Sequence, residues 1–172
     1  MSSLPSPTMM FGTDAAAVLV QAVADVSERS FFAYAEPCDA ARFGELADGV
    51  PRWYTASVRF DEPGLAGVVA CVLPEDLVLM LFDAFTGRDC ADPPADPSAV
   101  NDLIGELANM VCGAWLTRAA NDQTFTLRVP EVTVSQVAAP QSGDGVLLMA
   151  MNDRPVAVLV QELPAMPAAG AA

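Results

Sequence analysis

Histidine is absent from the 172 residues, and lysine and arginine together number 8 against 22 aspartates and glutamates, a formal net charge of −14. Without histidine there is no Ser-His-Asp or Cys-His catalytic set and no His-containing zinc site. With so few cations there is no basic face to displace counterions from nucleic acid or to dock on anionic lipid. Cysteine is scarce: Cys38, Cys71, Cys90 and Cys112 form no C-x-x-C pair, so no redox or zinc motif is supported. Cys71 and Cys112 stand among apolar residues and read as small core side chains. Long apolar runs are missing too, since no stretch reaches about 18 residues without charge. The best candidates, residues 15–24 and 64–73, are closed by Asp25 and by Pro74-Glu75 and have the length of core elements. The opening MSSLPSPTMM has neither a basic nor an apolar signal region, so the expected compartment is the cytoplasm, with reduced thiols.

What is present is apolar. Hydrophobic residues make up 53% and charged residues 17%, which excludes a disordered chain. Residues 1–11 and 164–172 read as disordered tails rich in Pro, Ala and Ser, and residues 12–163 as one domain. A helix is expected from Thr13 or Asp14 to about Arg29, followed by the β-prone run SFFAYAEP. Residues 39–52 look polar and irregular. Residues 53–60 and 65–73 form a hairpin about a turn at 61–64, and PEDLVLMLFDAFTG is a helix stopped by Gly87. Asp89, Asp92 and Asp96 fall in the proline-rich linker 88–97, which has no EF-hand spacing, so metal binding by these aspartates with Asp102 is not supported.

The second half repeats the outline of the first. Asp96-Pro97-Ser98 caps a long helix to about Ala119; TFTLRV and EVTVSQV follow as strands; a second hairpin turns at residues 152–154. An ungapped offset of 90 residues lays Leu73-Pro74 on Leu163-Pro164. A duplicated αβ unit of this kind predicts an α+β fold with a mostly antiparallel sheet and the two long helices packed together.

The long second helix carries the chemistry. At about 100° per residue, with Asp102 at zero, Glu106, Asn109 and Gly113 fall within a stripe about 60° wide. Val100, Leu103, Ile104, Leu107, Met110, Val111, Ala114 and Trp115 fall between about 80° and 220°, which makes them the core face and turns the stripe outward. A carboxylate and an amide at i, i+3 project side by side: one can pair with a partner's cation, the other can donate and accept and so fix a water molecule. Gly105 and Gly113 lie off the core arc, where a helical glycine costs about 1 kcal/mol with no evident packing return. Gly113 would let another backbone come close. Patterning alone also fits an ordinary polar face.

The run DLIGELANMVCG, read as Asp102-x3-Glu106-x2-Asn109-x3-Gly113, resembles the signature helix of the CheC/CheX/FliY family of response-regulator phosphatases. That family's pattern places a proline about 22 residues after the Asn; here Pro130 follows after 20. The duplicated layout is similar to that family's fold. CheC-type members carry the motif on both long helices, whereas the first helix here offers only Glu28, with Phe31 in the place of the Asn, so the resemblance is greatest to CheX. It implies an aspartyl-phosphate phosphatase acting on a phosphorylated CheY-like receiver domain, with Glu106 docking on the receiver's lysine and Asn109 aligning the attacking water. Asp102 and Gly113 are then partner-binding residues. The resemblance implies no cofactor of the chain's own, the Mg²⁺ being the receiver's, and a homodimer. The alternative is a non-catalytic CheC/FliM-like interaction module of a chemotaxis or two-component pathway.

Overall fold

The computed structural model describes residues 14–89, 92, 96–137, 143 and 145–164; apart from Pro164, the two expected tails lie outside them. The elements in chain order are α1 (Ala15–Phe31), β1 (Ala35–Pro37), α2 (Ala40–Ala47), β2 (Trp53–Glu62), β3 (Leu65–Pro74), α3 (Glu75–Thr86), α4 (Pro97–Ala119), β4 (Thr126–Leu127), β5 (Glu131–Ser135), β6 (Val146–Met151) and β7 (Arg154–Leu163). The fold is α+β, with every strand pair antiparallel. The strands run β1-β6-β7-β3-β2-β4, and β5 also lies on β2.

The order of strands shows how the two halves are joined. β3 and β7, the return strands of the two hairpins, meet at the centre, with Val69 opposite Val160 and Cys71 opposite Val158. The short strand of each half crosses over: β1 pairs with β6 of the second hairpin, and β4 and β5 pair with β2 of the first. Neither half completes its own sheet.

Alternation along the strands divides the sheet into two faces. Tyr54, Ala56, Val58, Phe60, Val69, Cys71, Val156, Val158 and Val160 face the helical layer, where they bury against α1, α3 and α4. The opposite face carries Trp53, Val72 and Ala157, covered by Phe43 of α2. α1 and α4 pack together as expected. The indole N–H of Trp115 donates to the Ala15 carbonyl at 3.2 Å, and Arg118 pairs with Asp25. Burial pushes the Cys71 and Cys112 thiols up to about 12, which keeps both protonated and inert. No helix among the described residues is long and apolar enough to cross a membrane.

Several local expectations need correction. Residues 39–52 are not irregular: α2 fills most of that span, capped by the Asp39 side chain, which accepts from the Arg42 N–H at 2.8 Å. α1 runs two residues past Arg29, and Phe32 then turns left-handed (φ 55), so that only Ala35–Pro37 remains of the SFFAYAEP strand. TFTLRV pairs over Thr126–Leu127 alone. Both hairpin turns are two-residue turns, Pro63-Gly64 and Asn152-Asp153, so residue 63 corresponds to residue 152 and the repeat offset there is 89, not 90. Asn152 and Asp153 both take positive φ, 47° and 58°, the geometry that suits a tight hairpin.

Two predictions arise from the α1–α4 contact. The Ser27 hydroxyl is fully buried with no hydrogen-bond partner among the described residues. An orphaned hydroxyl costs about 1–3 kcal/mol, so Ser27→Ala should raise the denaturant midpoint by about 1 kcal/mol of stability. Gln21 and then Arg118 hydrogen-bond the Asp25 carboxyl and hold it below its ordinary value of 3.8. A depressed carboxylate stabilises the fold above its unfolded-state pKa and ceases to do so as pH falls through the folded one. Thermal melts from pH 6 down to pH 2 should therefore show a shallower acid loss in Asp25→Asn than in the parent protein.

Candidate functional site

α4 is positioned by an N-cap at one end and by burial along one side. The Asp96 carboxylate accepts from the Ser98 N–H at 3.0 Å, and Pro97 opens the first turn, where its missing N–H loses nothing. Val100, Leu103, Ile104, Leu107, Val111 and Trp115 are buried beneath it. Met110 and Ala114, expected in the core, are only half-buried at its margin. The stripe turns outward: Asp102 and Glu106 are exposed, Asn109 and Gly113 half-buried. No hydrogen bond or ion pair among the described residues engages the side chains of Asp102, Glu106 or Asn109. Asp102 is the sixth residue of α4, beyond the first turn, so it gains little from the helix dipole.

One of the two glycines of α4, Gly105, has a packing role, contrary to the expectation from the sequence, whereas at Gly113 a side chain would meet only ordinary contact. Residues 127–132 run alongside the helix and touch it at both. A Cβ added to Gly105 would lie 3.2 Å from Pro130 Cβ and 3.7 Å from Val132 Cγ2, and one on Gly113 would lie 3.8 Å from Leu127 Cδ1. Gly105 is buried, and a Cβ there would sit tighter against Pro130 than side chains usually pack, so Pro130 would have to give by a few tenths of an ångström. Asn109 stands one helical turn from each glycine, midway along this approach.

The neighbouring segment is itself fixed to the sheet. The Arg128 N–H donates to the Arg59 carbonyl at 2.8 Å, and its guanidinium grips Asp61 with Nε to Oδ1 at 2.8 Å and Nη2 to Oδ2 at 3.1 Å. β5 then holds to β2 from Ser57 to Trp53. Between this wall and α4 lies an open depression of about 300 Å³ lined by Asn101, Asp102, Gly105, Glu106, Val129, Pro130 and Val132. A second, of about 280 Å³, lies beyond Asn109, where Gly113, Thr117, Phe125 and Leu127 meet.

Two carboxylates therefore edge one depression, and a carboxamide stands on the ridge between the two. Such a surface can pair with a cation and can hold a water molecule in a set direction. Among the described residues no group of His, Cys, Asp or Glu could hold a metal ion. Asp96 is spent on the α4 cap, and Asp92 accepts from the Asp89 N–H at 3.0 Å. The sequence singled out Pro130 by spacing but missed Val129 and Val132, because their place beside α4 comes from pairing with β2. On α1 the counterpart of Asn109 is Phe31, 1% exposed and stacked on Phe85 at 5.8 Å. Glu28 stays exposed there without an amide beside it.

The described contacts separate the two glycines. Gly113→Ala meets only ordinary van der Waals distance and should stabilise by up to about 1 kcal/mol through helix propensity. Gly105→Leu must displace Pro130 and should destabilise by about 1–3 kcal/mol. Urea unfolding of both variants checks this.

A family model described as Chemotaxis phosphatase CheX matches residues 54–151, which span α4 and the whole depression. Solved structures share the fold. The Vibrio vulnificus chemotaxis protein CheX superposes with a TM-score of 0.66 at 14% identity, covering 88% of this chain and 97% of its own. CheX of Borrelia burgdorferi, solved as a CheX–CheY–BeF3–Mg²⁺ complex, gives 0.58 at 12% identity, covering 88% and 99%. Thermotoga maritima FliY gives 0.55 at 17% identity, covering 96% and 93%. No curated protein sequence matches this chain.

Proposed function

Because the chain belongs to the CheX family of chemotaxis phosphatases, we propose that it hydrolyses the aspartyl phosphate of a CheY-type receiver domain, with Glu106 and Asn109 as its working pair. The observation that carries this reading is the pair itself: a carboxylate and a carboxamide, one turn apart and unpartnered among the described residues, on the outward face of a helix whose other side is core.

The chemistry asks for little more. Water attacks phosphorus in line with the leaving carboxylate oxygen; the P–O bond to the receiver's aspartate breaks, releasing inorganic phosphate and a free carboxylate. In a loose phosphoryl-transfer transition state the gain comes from orientation and charge placement rather than from covalent work. The Asn109 amide accepts from the water with its oxygen and donates with its nitrogen, which sets the angle of approach. An amide is no base, so the water's proton leaves with the phosphate. Glu106 pairs with the receiver's lysine and fixes the register of docking. Asp102, on the same edge, adds negative potential towards that cation. The Mg²⁺ belongs to the receiver, and the chain brings no cofactor of its own. The structure of a CheX bound to CheY with BeF3 and Mg²⁺ supports the choice of partner.

Timed decay of a phosphorylated receiver domain tests this. Asn109→Ala should lower the stimulated rate by about 100-fold or more, to the receiver's own decay, with an unchanged melting temperature, since misplacing the reacting group costs at least that much. Glu106→Gln should raise KM about tenfold, the loss of about 1.4 kcal/mol from one charge-assisted contact, while leaving the saturated rate within a few-fold. Full stimulated activity in Asn109→Ala would leave the non-catalytic interaction module as the better reading.

A further inference from the structure

One exposed side chain at the depression is left unexplained by carboxylate and amide. Val129 is 86% exposed, and the two other exposed valines, Val134 at 47% and Val137 at 76%, lie on the same stretch of chain. Isolated exposed aliphatics are ordinary, but Val129 lines the polar depression that holds Glu106, and the other two follow it along the chain.

Val129 is also held firmly. The residue before it, Arg128, is tied to β2 by its N–H and by its fork on Asp61. The residue after it, Pro130, sits on Gly105, and a residue preceding proline is confined to extended backbone. Val132 and Val134 lie opposite Ala56 and Tyr54 on β2, on the face that meets the helices. Val129 and Val132 thus form an apolar shelf in the Asp102–Glu106 depression, with Val134 next along the same face of β5. Val129 and Glu106 line the same depression of about 300 Å³, so a group that fills it meets both.

We infer that Val129 is a recognition residue for the receiver domain, which seats an apolar side chain on the valine shelf beside the cation it gives to Glu106. This rests on the phosphatase reading and adds a docking contact that does not take part in the hydrolytic step. The occupant is cationic at the carboxylate edge and aliphatic or aromatic at the valine edge. The rigid setting of Val129 lets it contribute to docking with little ordering of the backbone.

The test uses the full chain and a CheY-type receiver domain loaded with beryllofluoride and Mg²⁺. Titration calorimetry gives Kd, and decay of the phosphorylated receiver at saturating protein gives the rate. Val129→Ala should weaken binding about threefold and Val129→Asp by about tenfold or more, because the Asp both removes apolar contact and must be desolvated. Both should keep the parent's saturated rate and, the site being exposed, its melting temperature. Asn109→Ala, measured alongside, should keep Kd and lose the rate. Unchanged binding in Val129→Asp, with the rate still lost in Asn109→Ala, overturns the recognition role alone. So does a changed saturated rate in Val129→Asp, or a change in oligomeric state with receiver binding intact, which would give the shelf to a second copy of the chain. Full stimulated activity in Asn109→Ala removes the phosphatase reading, and this inference falls with it.

Discussion

The site depends on a close approach between one helix and a six-residue stretch of chain. Residues 127–132 lie against α4 because Gly105 has no side chain to hold Pro130 away and because Arg128 is drawn onto β2 by Asp61. Glycine within a helix costs about 1 kcal/mol relative to alanine. At Gly105 the contact with Pro130 and Val132 offsets that cost. The result is a rigid wall facing a helix edge, with Asp102 and Glu106 on one side and Val129 and Pro130 on the other. An exposed salt bridge like Arg128–Asp61 adds only about 0.2–1 kcal/mol to stability. Its larger effect is geometric, since both nitrogens of the fork engage one carboxylate and leave the segment a single course across β2.

The interleaved halves explain why there is one such place and not two. Each half offers a long helix, a short strand and a hairpin, and each short strand completes the other half's hairpin. After its short strand, the second half continues as β5 along β2, which carries Val129 to Val134 past α4. The first half departs from this. After β1 the chain leaves the sheet edge, forms α2, and buries Phe43 on the opposite face against Trp53. Among the described residues no counterpart of the Val129–Pro130 wall stands beside α1. Phe31 is correspondingly free to serve the core, where it stacks on Phe85.

The parts legible in the sequence were those set by local periodicity. α4 is 23 residues long, so its 3.6-residue pattern places Asp102 and Glu106 on the wet side, but the buried face runs further round than the expected arc, through Ala108, Cys112 and Leu116, and leaves Asn109 half-buried. The N-cap at Asp96 and the stop at Gly87 follow from backbone chemistry alone. What the sequence hid was tertiary. α2 has a cap at Asp39 but buries a single residue, Phe43, too little to mark a helical face. TFTLRV has strand-forming side chains, yet only Thr126–Leu127 pairs as strand, because one extra residue between Leu127, opposite Phe60, and Glu131, opposite Ser57, interrupts the ladder and Pro130 has no N–H to donate. The packing of Gly105 under Pro130 joins residues 25 apart, and nothing near Gly105 announces it. The repeat was visible, but its register was set by turn length. Pro63-Gly64 is a two-residue turn, and a one-residue error in that count moves every side chain to the other face of the sheet.

The choice of residue types follows from what this chain is and is not asked to supply. A protein with no histidine and a net charge of −14 is poorly equipped for proton shuttling and well equipped to meet a cation. A phosphoryl group beside a metal ion carries negative charge on three oxygens, so a carboxylate brought against it would be repelled. In the proposed reading the neutral amide of Asn109 holds water there without that cost, while Glu106, one turn away, keeps its charge for the receiver's lysine. Exchanging the two would place the anion against the phosphoryl oxygens and the amide against the cation, losing both contacts. Order along the helix is therefore as much a requirement as composition. In the proposed reading the depression is half of a site: the metal, the aspartate and the lysine would come with the receiver, and this chain would contribute direction and negative charge.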